Sequence, residues 1–427
     1  MSARELILAA LAVSVASCAG DETPKDDAPE HDRCDGPPGR VVDIDSGRSH
    51  TCVVFEGGQL ECWGGNYHGQ LGYGDLVAQL ELIGDDETPA DVGFVDVGGC
   101  VDEVSVHRAT TCAILRDGGV KCWGYNDFGV LGLGHTETMG DDETPASIEA
   151  LRFPADVVEV VGDETICALL ENGEIYCWGY DVCGNLGHGS AGSPPEDQRA
   201  DQGDPVQQKS KARAIADGDF SRCLIDDDRE LTCWGSKWPD NGHTEHYTCP
   251  APPSKATPHH VEGPVLDVAV GTDHACALDA THHLYCWGDN DFGELGYAHD
   301  EYMTFPGIPA VETGGEVIAI EAGRRTSCAV YVDGRARCWG MGYEGQLGQA
   351  NIEHIGDDET PADVPFIDIG EPIQKLALGD DFVCALTVSG QVRCWGHNEY
   401  GQLGLGHTEN IGDDEVPASV APVQLLQ

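Results

Sequence analysis

Two kinds of side chain recur in this sequence at spacings that could do chemistry: thiols and carboxylates. Seven cysteine pairs stand ten residues apart: Cys52 with Cys62, Cys112 with Cys122, Cys167 with Cys177, Cys223 with Cys233, Cys276 with Cys286, Cys328 with Cys338, and Cys384 with Cys394. Each second cysteine opens a Cys-Trp-Gly. Thiols at one constant spacing can bind metal, exchange electrons or close disulfides, and which of these they do follows from the compartment. The carboxylates come as Gly-Asp-Asp-Glu at residues 84–87, 140–143, 356–359 and 412–415. Their aspartates, Asp85, Asp86, Asp141, Asp142, Asp357, Asp358, Asp413 and Asp414, are oxygen ligands of the type Ca²⁺ takes. The spacing is not that of a calcium loop, and each block precedes a proline as a connection between strands, so a solvated acidic loop is the competing reading. Calcium is the one ion these residues suggest, and no organic cofactor is indicated. A third group, His243, His246, Cys249, His259 and His260, lies in a proline-rich insertion. His243 and His246 have ligand spacing for a transition metal, but histidines in such insertions are commonly unliganded and Cys249 is better used in a bridge. No nucleophile elbow, phosphate loop or zinc-protease motif is present, so no catalytic residue is assigned and the chain is not expected to be an enzyme. Carboxylate pairs do leave open a carbohydrate-active or other hydrolase built on Asp and Glu.

The elements that hold the thiols can be read from the stretch around Cys112. Apolar and β-branched residues flank Asp117-Gly118, which is the pattern of two short strands around a turn. Cysteines that face each other across the hairpin enclose an odd number of residues, which a three-residue loop satisfies. Such a loop ends on a residue with positive φ, and glycine stands there as Gly58, Gly118, Gly173, Gly334 and Gly390, with Arg229 and His282 in the fourth and fifth units. Opposed positions of this kind lie within disulfide reach. Trp63, Trp123, Trp178, Trp234, Trp287, Trp339 and Trp395 recur every 52 to 60 residues, a period that indicates a propeller or array rather than independent domains.

Compartment follows from the first forty residues. Arg4, an apolar run from Leu6 to Val15 and small residues before Cys18 make an export signal over 1–18, too short to anchor across a bilayer. Val15-Ala16-Ser17-Cys18 resembles the lipobox of bacterial lipoproteins, in which the cysteine is acylated; an ordinary cleaved signal is the alternative. Residues 19–40, rich in Asp, Glu and Pro, read as a disordered acidic tether, and 41–427 as the folded unit. Export selects disulfides for the seven pairs. Of the nineteen cysteines, Cys34, Cys100, Cys183 and Cys249 are left over beside Cys18. Three pairings are open to them, and Cys34–Cys100 with Cys183–Cys249 couples segments of the same or adjacent units.

After each Trp-Gly a second signature follows: Asn66, Asn126, Asn290 or Asn398, then Leu-Gly, with Phe128, Phe292, Tyr343 and Tyr400 before the intervening glycine. These aromatics suit packing between units and also interface anchors. The combined pattern of Cys-Trp-Gly, Asn, Gly-Gln-Leu-Gly and Thr-Pro-Ala resembles the regulator-of-chromosome-condensation repeat across 41–427. The resemblance implies an all-β fold, a seven-bladed β-propeller. It is similar in setting to the family's secreted bacterial branch, which includes a propeller-type β-lactamase-inhibitor protein; guanine-nucleotide exchange, by analogy with nuclear members, is a further alternative. The unit boundaries suggest that residues 416–427 complete the first blade and so close the ring.

A formal charge of −52 excludes the usual electrostatic route to nucleic acid and to anionic membranes. The membrane contact expected is a lipid anchor alone, and the partner a protein at the cell envelope, outer membrane or outside the cell, bound by a monomer. Units three to five replace the acidic loop by insertions, 190–211 and 236–260. With the neighbouring stretch these carry Trp238, Tyr247, Tyr302 and Phe305, large side chains of the kind that anchor partners.

Overall fold

The computed structural model describes residues 34, 36–77, 81–181, 184–188, 197–219, 221–235, 253–254, 261, 263–305 and 307–426. Seven antiparallel sheets follow one another along the chain. Their first strands are Val41–Ser46, Val101–Val106, Val157–Gly162, Ala212–Asp217, Val265–Val270, Val317–Ala322 and Ile373–Leu378. In the first blade this strand is followed by His50–Phe55 and Leu60–Gly65, and every other blade repeats the order. All six residues of each second strand are buried, as His50–Phe55 and Thr110–Leu115 show, because both faces of a blade are covered by its neighbours. Each first strand is shifted in register after its first residue, as between Val41 and Asp43, a bulge that increases local twist. The architecture is the seven-bladed β-propeller expected.

The hairpins are built as their spacing requires. Cys52 faces Cys62, Cys112 faces Cys122, Cys167 faces Cys177 and Cys223 faces Cys233. In the last three blades Cys276 faces Cys286, Cys328 faces Cys338 and Cys384 faces Cys394. Each of these seven pairs is closed as a disulfide, with Cα separations of 4.0 to 4.1 Å. The loop glycines have φ near +80°, Gly118 among them, while Arg229 and His282 take φ of 62° and 64° without glycine's freedom. His282 recovers part of that cost through a 2.7 Å hydrogen bond from its ring to the Val317 carbonyl.

Neighbouring blades are joined by the Cys-Trp-Gly tryptophans. The indole N–H of Trp123 donates to the Gln70 carbonyl at 3.0 Å, that of Trp339 to Glu294 and that of Trp395 to Gln346. Trp63 of the first blade donates to the Gln402 carbonyl of the seventh at 2.9 Å, so the ring closes by the same joint that links these other blades.

Closure differs from the sequence expectation in one respect. Residues 416–427 do not complete the first blade: Val423 N–H bonds to the Val392 carbonyl and Gly396 bridges Ile411, both within the seventh. Among the described residues, the outer segments of six blades, all but the fourth, bond to the third strand of their own blade, as Val95 does to Leu60 and Ile367 to Ala336, and in the first blade Leu82–Ile83 forms an irregular fourth strand. The C-terminal segment instead lies at the junction with the first blade. There the Ala90 N–H donates to the Gln424 carbonyl and the Leu426 N–H to the buried Glu61 carboxylate.

Cys34 and Cys100 are bridged. Gln59 holds the carbonyls of Cys34 and Gly36 at 2.8 Å, which fixes the chain just before the first blade. Cys18, Cys183, Cys249, Trp238 and Tyr247 lie outside the described residues, as do His243, His246, His259 and His260. Among the described residues no helix is long and apolar enough to cross a membrane.

Candidate functional site at the channel mouth

The turn between first and second strands places one residue from every blade on the ring axis. These residues stand four positions before the first cysteine of each hairpin pair: Arg48, Arg108, Asp163, Asp219, Thr272, Arg324 and Asp380. All seven line one cavity of about 250 Å³. The arginines are engaged from the side: Arg48 with Asp380 at 3.4 Å, Arg108 with Glu164 at 3.3 Å and Arg324 with Asp381 at 3.5 Å. Behind the ring, Arg222 is fully buried and pairs with Asp217 at 2.6 Å, while its Nη2 donates to the Thr165 carbonyl.

Burial sets the protonation of this mouth. Asp163 is pushed up to about 7, first by burial and then by Asp219; Asp380 is pushed to about 6, first by burial and then by Asp381. Burial lowers His107, which also lines the cavity, to about 4, so its imidazole is neutral.

Around the mouth lies a set of aromatic contacts between blades. The residue after each Trp-Gly bonds to the adjacent turn, as Tyr125 N–H does to the Ala109 carbonyl and Met341 N–H to that of Arg325, so the segment that follows lies at the same end as the charged ring. On it Tyr67 meets Tyr400, His68 meets Tyr125, Phe128 meets Tyr180 and Phe292 meets Tyr343. Phe128 and Tyr400 thus do join blades, and Phe292 lies beneath the Arg325 guanidinium. Several remain open to solvent: Tyr67 is 53%, Phe128 44% and Tyr343 56% exposed.

The Gly-Asp-Asp-Glu loops form an outer tier at this end. Each sits on the Leu-Gly turn of the preceding blade. A Cβ on Gly69 would come within 2.4 Å of the Asp141 amide nitrogen, which is why glycine is required on that side of the joint. Ligand atoms of Asp85, Asp86 and Glu87, and of the three equivalent triads, lie within 4.8 Å of one another. Glu87, Glu359 and Glu415 are pushed up to about 7 by burial and by the neighbouring carboxyl; Glu143 is raised for the same reasons. Such a cluster is neutralised by a shared proton or by a hard cation.

Of the aromatic anchors named from sequence, Phe305 and Tyr302 are described and both are half-buried. Met303 bridges Gly288 as Met139 bridges Gly124, so Phe305 takes the place of Asp141 and packs edge-on against Trp287 at 4.9 Å. Burial, with Asp289 and Asp273 nearby, raises the Tyr302 hydroxyl. Sequence reasoning misses the axial ring. Aligning the units on their first cysteine exposes it as a column charged in six of the seven units, beside a glycine that also recurs in six.

Comparison with known proteins agrees with this architecture. The model of the RCC1-like domain matches residues 72–426, and that of the regulator of chromosome condensation (RCC1) repeat matches 41–70. The ultraviolet-B receptor UVR8 of Arabidopsis thaliana is 28% identical over 378 residues, covering 88% of this chain and 81% of the receptor. The E3 ubiquitin-protein ligase HERC2 of Homo sapiens is 29% identical over 377 residues, 86% of this chain but 7% of the ligase. Among solved structures, yeast RCC1 (Prp20) bound to Kap60 superposes with a TM-score of 0.66 at 20% identity, covering 96% of this chain and 91% of that one. Human WBSCR16 gives 0.65 at 18% identity, covering 85% and 93%. With a family match over most of its length and seven blades built from the repeat, the chain belongs to the RCC1-like domain family.

Proposed function

We propose that this chain is an exported, non-catalytic propeller that binds a protein through the end bearing the channel mouth. One observation carries the reading. Among the described residues, the large aromatics exposed to solvent, Tyr67, Phe128 and Tyr343, all lie at this end, whereas the opposite hairpin turns expose Val332 and Val388. Rigid aromatics with a polar surround are the usual anchors of an interface. A solved relative, yeast RCC1, is itself seen bound to Kap60, which supports protein binding as a use of this scaffold. The setting we assign is the bacterial envelope, as a monomer tethered by acylated Cys18. Disulfide-closed hairpins support an oxidising compartment. Calcium at the acidic loops belongs to the same proposal, as a ligand that would neutralise the triads in place of a proton.

A photo-crosslinking amino acid placed at Tyr67 or Tyr343, and separately at Val332 or Val388, tests the docking face. Cross-linking of one defined polypeptide from the first two positions alone is the expected result. Capture from Val332 or Val388 instead would reverse the assignment of the face. Export is tested separately: Cys18→Ser should move the protein from the membrane fraction to the soluble one, and an unchanged distribution would remove the lipid anchor.

A further inference from the structure

We propose that the channel mouth receives one basic side chain, lysine or arginine, presented by a loop of the partner protein. The inference rests on the reading of this end as the docking face and adds the chemistry of what is recognised there.

Charges around the mouth do not balance evenly. Each arginine on it faces a carboxylate: Arg48 faces Asp380, Arg108 faces Glu164 and Arg324 faces Asp381. Buried Arg222 compensates Asp217 in the same way. Asp163 and Asp219, on the adjacent third and fourth blades, face no arginine in any of these pairs; Asp219 receives a 3.4 Å contact from the Thr272 hydroxyl. One side of the axis therefore carries two adjacent carboxyl groups outside any ion pair, although the Arg108 charge acts on Asp163, which becomes fully negative only above about pH 7.

Two buried acceptors also await a donor there. Asp163 Oδ1 is shielded from solvent and has no hydrogen-bond partner among the described residues. Neither has Nε2 of His107, a residue only 4% exposed whose ring is bonded to the Gly162 carbonyl. Because that ring is neutral, its free nitrogen accepts. Leaving buried acceptors unmet is costly, and both belong to residues that line the same cavity. A ligand with several N–H donors and a positive charge meets both demands at once, as an ammonium or guanidinium does. A metal ion does not fit as well, because the described residues bring three ligand atoms within 4.8 Å of one another at the four acidic loops and not here. At ~30 Å³ per water molecule, a cavity of about 250 Å³ has room for a long side chain in place of several waters.

The test uses the full chain and N-acetyl-lysine, N-acetyl-arginine and N-acetyl-norleucine methylamides as probes, read by ligand-observed NMR. Binding of the two basic probes but not of norleucine is expected, with at least tenfold weakening in Asp163→Asn or Asp219→Asn. Affinity within twofold of the parent is expected when Asp85, Asp141, Asp357 and Asp413 are changed together to Asn. Having two separate single variants keeps the comparison open if one does not fold. Equal binding of norleucine, unchanged affinity in both single variants, or a loss that follows the outer loops would overturn the proposal, the last by assigning attraction to the overall acidic field. Binding of n-butylammonium as tight as that of the lysine probe would assign the cavity to a free organic cation and likewise overturn it. Failure here with cross-linking from Tyr343 intact would remove the basic side chain and leave the docking face standing.

Discussion

Glu61 shows how one position in the repeat can change sign without changing its job. The residue before the second hairpin cysteine points toward the blade's outer edge. There Lys121 donates to the carbonyls of Val97 and Pro145, and Arg337 to those of Val364 and Thr313. In the first blade the outer chain offers an N–H instead, from Leu426, and the residue is a carboxylate. Burial pushes Glu61 up to about 7 from an ordinary 4.5, opposed by that hydrogen bond. The folded state then holds a proton that the unfolded chain has released, so this group's stabilisation is complete below pH 4.5 and is lost as pH rises through about 7. In Glu61→Gln, the fall of unfolding free energy between these two pH values should be shallower by up to about 1.4 kcal/mol per pH unit. Urea denaturation across that range measures it. The same slope in both proteins would show that Glu61 does not titrate with folding.

At the scale of the element, the hairpin and its bridge form one device. The turn sets the register, the register puts the cysteines opposite each other, and the bridge then limits the unfolded chain. By loop entropy, an 11-residue closure is worth roughly 2.5–3 kcal/mol, whereas the Cys34–Cys100 closure, with a separation of 66, is worth about 4 kcal/mol. Replacing Cys112 and Cys122 by serine should therefore destabilise less than replacing Cys34 and Cys100, as read from denaturation midpoints under non-reducing conditions. The reverse order would mean that native contacts of the hairpin, rather than chain entropy, dominate the bridge's value. Arg229 and His282 show that the loop's shape is imposed by the hairpin even where its last residue is not glycine.

For the whole molecule, closure depends on a seam rather than on a shared blade. The seam between seventh and first blades contains the Trp63 bond to Gln402, the Lys375–Asp43 ion pair at 2.6 Å, and the contacts of Gln424 and Leu426. Removing residues 421–427 should strip the outer strand from the seventh blade and leave Glu61 buried without its N–H donor. A lower melting temperature and concentration-dependent aggregation are expected, because an unprotected blade edge invites pairing. Unchanged melting and solubility would show that the indole joint and the inner strands suffice. The charge of −52 acts at this scale too, and at the axis the arginines are matched by carboxylates and do not reverse it.

The hairpins, their bridges, the number of blades and the glycine turns are legible in the sequence because each depends on short-range spacing repeated seven times. A ten-residue separation fixes which cysteines can meet whatever surrounds them. Expectations that rest on long-range geometry fare differently. The destination of residues 416–427 turns on whether the outer strand belongs to its own blade or the next, and both choices leave the same residues in the same order. For Phe305, named as an anchor from its loop, the structure adds a half-buried packing against Trp287, because that loop keeps the path of the acidic ones. Arg48, Arg108, Asp163, Asp219, Thr272, Arg324 and Asp380 are scattered along most of the chain, and their fixed offset from the first hairpin cysteine shows a shared place in the unit but not that they meet. Only ring closure brings them to one cavity, where proximity and exclusion of water turn seven ordinary turn residues into a charged mouth.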